Sequence, residues 1–265
     1  MSNVKVGTIQ NAEYELSYFT FGKGEKPFVI IPGSSVKSIF LFRDGVEAQF
    51  SDYISHRYTA YVFEYRRPLP SGITARQMAE DIATAMKTLG ITNAYIFGAS
   101  LGGVIAQYIA INHPELVNKI AVCSSLARAN ETSRKVFENW LELSKPDSVA
   151  TLLRDINDKI YSSEYKERFA DFFASSENDA TPEEIERFKI QIDACNNAET
   201  YNELQKIQCP VLAVGAKGDR VLTGEASREI ATLTGGEYYL YDGYSHAVYD
   251  EAPDFRQMIF DFFKK

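Results

Sequence analysis

Apolar residues fall along this chain in two alternating rhythms. Short runs at Phe28-Val29-Ile30-Ile31, 58–64, Ala94-Tyr95-Ile96-Phe97, 119–124 and 210–215 are rich in apolar residues without a gap, as strands buried on both faces must be. Between them the spacing changes to that of helices: over 73–89, closed by Gly90, over 104–111 up to His113-Pro114, over 223–233 and over 254–263. A further strand fits Glu237–Tyr241, while Val4-Lys5-Val6 and 14–19 read as a strand pair at an edge. Strand following helix in this way predicts an α/β fold with a doubly wound, mostly parallel sheet.

The alternation lapses once. Across 127–200 no strand-like run occurs. Val149, Leu152, Leu153, Ile156 and Ile160 line one helical stripe, and Tyr165, Phe169, Phe172 and Phe173 another, which reads as packing rather than as a substrate wall. Thr181-Pro182-Glu183-Glu184 has the cap, first-turn proline and returning glutamate of a helix start, continued by Ile185, Phe188 and Ile192. The expected division is a core of 1–126 and 201–265 with an all-helical insertion of 127–200. On the side of the sheet where loops carry chemistry, such an insertion would act as a lid.

Composition narrows the partners more than the fold. At 265 residues and 45% hydrophobic, the chain can bury one large core. Its net charge of −8 sits mostly in the insertion, which holds 10 Lys/Arg against 16 Asp/Glu, and has the wrong sign for nucleic acid. No apolar run reaches the roughly 18 residues of a membrane span, and residues 1–18 contain no signal-peptide core. Cys123, Cys195 and Cys209 are odd in number and scattered, which suggests free thiols in a reducing cytoplasm. The expected partner is a small molecule, and oligomeric state leaves no mark in the sequence.

The strongest chemical signal is Gly98-Ala99-Ser100-Leu101-Gly102, set between an apolar run and a helical one. Gly-x-Ser-x-Gly at a strand-to-helix turn is a nucleophile elbow, which lifts the hydroxyl clear of its own backbone and aims helix N-terminal amides at the reacting oxygen. Gly98 and Gly102 leave room for a close backbone approach. A tight turn without chemistry yields the same letters; the buried strand and helix on either side favour the elbow.

A serine hydroxyl attacks when a base takes its proton and an acid orients that base. Of the three histidines, His113 precedes Pro114 at a helix end and reads as a cap or surface residue, and His56 lies in a polar stretch. His246 stands in Gly243-Tyr244-Ser245-His246, just past the last strand, where loops of parallel sheets carry function. It is the candidate base. The candidate acid is Asp219, in the glycine-rich turn Gly215-Ala216-Lys217-Gly218-Asp219; Asp242 and Asp250 are nearer in sequence but do not leave from the neighbouring strand's end. The order Ser100, Asp219, His246 is that of Ser…Asp…His sheet enzymes. Two backbone amides should receive the oxyanion: that of Leu101, and that of Ser34 in the loop Pro32-Gly33-Ser34-Ser35, with Ser35 the alternative.

On these motifs the chain resembles the α/β-hydrolase fold enzymes with a helical cap, over nearly its whole length, 28–263. The resemblance is specific for fold and triad and not for substrate. Two places differ from the pattern common in that family: Pro32-Gly33 stands where His-Gly is usual, and Glu64-Tyr65-Arg66-Arg67-Pro68-Leu69-Pro70-Ser71 replaces Asp-x-Arg-Gly-x-Gly-x-Ser.

Other patterns are set aside. Ser34-Ser35-Val36-Lys37 fits Ser-x-x-Lys but lacks a following Lys-Thr-Gly, and Gly98-x-Ser100-x-x-Gly103 puts serine where a dinucleotide loop needs glycine against the pyrophosphate. No His, Cys and carboxylate cluster has metal-ligand spacing, so neither cofactor nor metal is expected. The expected activity is hydrolysis of a small neutral or apolar acyl compound, a carboxylic ester by default. Thioester, lactone, peptide N-terminus and carbon–carbon cleavage stay open. The competing expectation is a hydrolase-fold protein that binds a small ligand under its cap without turnover, and the complete Ser, His and Asp set argues against it.

Overall fold

Across residues 4–54, 56–176 and 180–265, which the computed structural model describes, eight strands form one sheet. In chain order the elements are β1 (Lys5–Gln10), β2 (Glu15–Gly22), β3 (Lys26–Ile31), α1 (Arg43–Ile54), β4 (Tyr58–Phe63), α2 (Ala75–Thr88), β5 (Ala94–Ala99), α3 (Leu101–Asn112) and β6 (Val117–Cys123). Five helices follow without a strand: α4 (Glu131–Leu143), α5 (Val149–Ile160), α6 (Ser163–Arg168), α7 (Ala170–Ser176) and α8 (Pro182–Asn196). The chain then returns to the sheet with β7 (Val211–Ala216), α9 (Gly224–Thr234), β8 (Glu237–Tyr241), α10 (Val248–Glu251) and α11 (Phe255–Lys264). The sheet order is β1-β2-β4-β3-β5-β6-β7-β8. Pairings β1–β2 and β2–β4 are antiparallel, and every pairing from β4–β3 to β7–β8 is parallel.

The two-residue period of the strands divides the core. In β3, Val29 and Ile31 point to the face covered by α2, α3 and α9, while Phe28 and Ile30 point to the face covered by α1 and α11. The same alternation separates Ile96 from Tyr95 and Phe97, and Ala213 from Leu212 and Val214. Both sets are buried, which explains why the strands read as continuous apolar runs. On the second face Phe28 meets Phe50 at 5.6 Å, Phe260 at 5.1 Å and Phe263 at 5.8 Å between ring centroids. On the first, Val136, Phe137, Leu152, Phe188 and Ile192 of the five-helix stretch continue the core packed on α3.

Helix ends follow the side-chain chemistry. Thr74 and Thr181 each accept from the amide three residues on, and Gln77 and Glu184 reach back to their cap residues. The aromatic stripe of 165–173 spans two short helices; Tyr165 packs on Tyr161 and Phe169, but Phe169 and Phe172 are exposed. Two helices were not anticipated, α1 and the short α10. Strand β6 ends at Cys123, so Ser124 lies in the turn beyond it and not in the strand.

Phe260 touches Phe28, Phe50, Tyr53, Tyr58 and Phe263. Truncation to alanine leaves a cavity that those rigid rings cannot fill. Phe260→Ala is expected to lower unfolding free energy by about 3–5 kcal/mol, measured by urea denaturation.

Candidate active site

Ser100 stands between β5 and α3 with φ 52° and ψ −119°, a conformation that costs a non-glycine residue strain. The glycines on either side show how the turn is held. A Cβ on Gly98 would collide with the Gly102 carbonyl, and one on Gly102 with the carbonyls of Ile31 and Pro32. A Cβ on Gly103 would strike the Ser125 side chain. The backbones of β3, β5 and α3 therefore touch directly, and Gly33 lies against Ser100, its own notional Cβ 3.1 Å from that of the serine.

His246 follows β8 and is buried, and its Nδ1 pairs with Asp219 Oδ2 at 3.0 Å. Asp219 follows β7 and is equally enclosed; its other oxygen, Oδ1, accepts from the amides of Val221 at 2.8 Å and Leu222 at 3.0 Å. Burial alone would push this carboxyl up. The His246 ring, its hydrogen bond and the two amides outweigh burial and hold Asp219 below the ordinary carboxylate value. The remaining oxygen of the acid thus faces one nitrogen of the ring and leaves Nε2 for other work. Among the described residues no hydrogen bond joins Ser100 Oγ to the His246 ring.

The rival residues fall elsewhere. Asp242 is exposed and pairs with Lys217 at 2.6 Å. Asp250 faces Arg256, Glu251 and Gln49, and burial raises its carboxyl to about 6. His113 joins Glu80 at 2.8 Å and Lys87 at 3.0 Å on the far end of α3, and His56 is exposed. Cys123, Cys195 and Cys209 are free thiols. Among the described residues no three His, Cys, Asp or Glu side chains converge as metal ligands would, and no helix is long and apolar enough to cross a membrane.

The loop after β3 separates Ser34 from Ser35. The Ser35 amide donates to Gln191 Oε1 at 3.0 Å and its carbonyl accepts from Gln191 Nε2 at 3.2 Å, so its hydrogen-bonding groups are spent on α8. Ser34 has no such partner, and its buried hydroxyl is unpaired among the described residues. Leu101, the first residue of α3, has an amide with no carbonyl four residues back in the helix. Further braces close the loop: Lys37 pairs with Glu184 at 3.0 Å, and the Tyr65 hydroxyl donates to the Pro32 carbonyl. Behind it the Arg187 guanidinium donates to Glu64 at 3.2 Å and to the carbonyls of Tyr65 at 2.7 Å and Arg66 at 2.9 Å. Gln191 and Arg187 carry no motif, and helical spacing on α8 was the only signal that could have brought them forward.

A model of the alpha/beta hydrolase fold family matches residues 28–253, and the chain belongs to that family. Its similarity to individual members is low in sequence and high in shape. It is 22% identical over 221 residues to the 3-oxoadipate enol-lactonase 2 of Acinetobacter baylyi, covering 82% of this chain and 80% of that one. It is 21% identical to a putative carbamate hydrolase, RutD, of Pantoea ananatis, over 74% of this chain and 73% of that one. Among solved structures, the enol-lactonase from Burkholderia xenovorans LB400 superposes with a TM-score of 0.84 at 20% identity, covering 98% of this chain and all 100% of that one.

The pH dependence of stability follows from the Asp219 shift. Its folded-state pKa lies below the ordinary value, so the unfolded chain takes up the proton first as pH falls. The stabilisation is whole above about pH 4 and is lost as pH drops through the folded-state pKa. The stability gap between wild type and Asp219→Asn should therefore hold from pH 6 to about pH 4 and narrow only as pH falls further towards pH 3, measured in urea titrations.

Proposed function

We propose that this chain is a serine hydrolase of small neutral or apolar acyl compounds, with carboxylic esters, lactones included, as its substrates. The observation that carries the reading is the buried Asp219–His246 pair in the loops after β7 and β8, together with a serine held in a strained turn after β5. The names of its relatives, enol-lactonase and carbamate hydrolase, and of a solved neighbour, an esterase from Exiguobacterium antarcticum with a TM-score of 0.81 at 20% identity over 97% of this chain and 99% of that one, support acyl–oxygen cleavage.

The chemistry starts when a bound substrate draws Ser100 and His246 into hydrogen-bond range, since such contacts tighten on binding. His246 Nε2 takes the Ser100 proton as Oγ attacks the carbonyl carbon. The carbonyl oxygen becomes an oxyanion and is received by the amides of Leu101 and Ser34. Asp219 stabilises the imidazolium across Nδ1. The tetrahedral adduct collapses, the alcohol leaves with the proton from His246, and water repeats the sequence on the acyl-enzyme. The helical stretch of 127–200 forms the cap over this centre, and its acidic surface disfavours strongly anionic acids. The setting is the cytoplasm and the partner a small molecule.

Two substitutions test the assignment. Ser100→Ala should lower kcat/KM for p-nitrophenyl butyrate by about 10⁴-fold or more, with an unchanged melting temperature. Unaltered hydrolysis in that variant would overturn the reading. Gln191→Leu leaves the Ser35 amide and carbonyl unpaired, so it should cost about 1–3 kcal/mol in stability and lower kcat by releasing the loop that carries Ser34.

A further inference from the structure

The turn just beyond β6 touches both halves of the candidate site. The Cys123 carbonyl accepts from the Ser100 amide at 2.9 Å, and the Ser125 hydroxyl donates to the Ser100 carbonyl at 2.9 Å. Between them, Ser124 donates its hydroxyl to the backbone carbonyl of His246 at 2.6 Å. Its own amide donates to the Val214 carbonyl on β7 at 2.8 Å. Three consecutive residues thus tie down the main chain of Ser100 at both its amide and its carbonyl, and that of His246 at its carbonyl.

Ser124 does this in a conformation that L residues avoid. Its φ is +44°, and it is completely enclosed. Glycine, or even asparagine, suits that backbone better, so serine stands here at a cost in backbone strain. What serine adds is a donor of the right reach. The carbonyl it binds belongs to the residue whose imidazole must meet Ser100; the hydroxyl's other neighbour, the Cys123 sulfur at 3.7 Å, is a weak partner beside that carbonyl.

Resting on the serine-hydrolase reading above, we propose that Ser124 is a positioning residue: its hydroxyl fixes the distance between the His246 loop and the Ser100 elbow. It touches no reacting atom. Without it the His246 loop keeps its other ties: Ala247 N–H to the Ile160 carbonyl at 2.9 Å, Ser245 Oγ to the carbonyls of Lys159 at 2.9 Å and Gly218 at 3.2 Å, and Gly218 N–H to the Tyr244 carbonyl at 3.1 Å; those lead to α5 and to the loop after β7, and none reaches the elbow. The imidazole would then follow α5 and the loop after β7, with no direct tie to the turn that holds Ser100. A shift of a fraction of an ångström is enough to slow proton transfer without weakening substrate binding.

Paired variants separate this role from a contribution to folding. Ser124→Gly removes the hydroxyl and relieves the backbone strain, whereas Ser124→Ala removes the hydroxyl and keeps the strain. Each is compared with wild type and Ser100→Ala for hydrolysis of p-nitrophenyl butyrate, for the rate of Ser100 labelling by a fluorophosphonate, and for melting temperature. The expected result is a loss of about tenfold or more in kcat and in labelling rate for both variants, with KM within about twofold of wild type. Ser124→Gly should melt close to the wild-type temperature, because the backbone strain it relieves offsets the lost hydrogen bond, and Ser124→Ala below Ser124→Gly. Ser124→Cys, with a weak donor, should recover part of the rate. Wild-type kcat and labelling in Ser124→Gly would overturn the proposal, as would activities that simply follow the order of melting temperatures. If wild type neither hydrolyses the ester nor takes the label, the serine-hydrolase reading falls and this inference with it; a reactive wild type matched by Ser124→Gly sinks this inference alone.

Discussion

The contact on which the candidate site depends is backbone against backbone. Gly98 lies on the Gly102 carbonyl and Gly102 on the carbonyls of Ile31 and Pro32, with no room for a side chain at either place. That approach sets three things together: the end of β5, the start of α3 and the loop leaving β3. Ser100 is forced to φ 52°, a strain of order 1–3 kcal/mol. Ile96, Val104, Ile105 and Ile109 around it are buried completely, and each such side chain contributes about 1.5–3 kcal/mol of burial. The packing of β5 and α3 therefore exceeds the strain several times over, and the serine has no relaxed alternative that keeps that packing.

The second half of the site is built from the neighbouring strand ends. Loops after β7 and β8 leave the sheet side by side, and parallel pairing of Gly215 with Leu240 and Ala216 with Tyr241 brings their first residues level. Asp219 is then anchored from below by two amides before it meets the imidazole. A carboxylate with one oxygen so fixed presents the other in a single direction. Desolvation of the charge is offset by three hydrogen bonds and the adjacent ring, so the acid stays ionised where an unpaired buried carboxyl would not. Asp250, four residues beyond His246, illustrates the opposite balance: burial dominates there and raises the carboxyl to about 6.

What the amino-acid pattern revealed depended on whether a feature is local. Strands buried on both faces leave unbroken apolar runs, and β3, β5 and β7 were legible for that reason. Helix α1 was not, because its two fully enclosed residues, Phe50 and Ile54, find their partners in Phe28 and α11 rather than in a repeated stripe of their own. Ser100, Asp219 and His246 each stand beside a glycine-bearing turn at a strand end, so they could be named from the sequence, and Asp219 and His246 do meet. The pattern favours Ser34 with Ser35 as the alternative and does not separate them further. The difference lies with Gln191, 156 residues further on, whose side chain occupies the Ser35 amide. Ser124 was hidden for a related reason: no motif marks it, and its role depends on a φ angle and on a carbonyl 122 residues away.

The helices between β6 and β7 are fastened at both ends to the loops that matter. At one end, α8 grips the loop after β3 through Gln191 and Lys37–Glu184, with the buried Arg187–Glu64 pair behind it. Such a pair adds little net stability, because desolvation offsets attraction, but it disfavours any arrangement that separates the two charges. At the other end, the carbonyls of Lys159 and Ile160 at the close of α5 accept from Ser245 and Ala247, on either side of His246. Swinging the whole stretch away as one body would break both sets of bonds and displace the Ser34 amide and the imidazole together. Helices α6 and α7 lie between these anchors and have none of their described residues fully buried, while Phe169 and Phe172 face solvent. Movement confined to that middle portion would leave Ser100, His246 and the loop after β3 in place, so under the proposed function access and alignment fall to different parts of the same insertion.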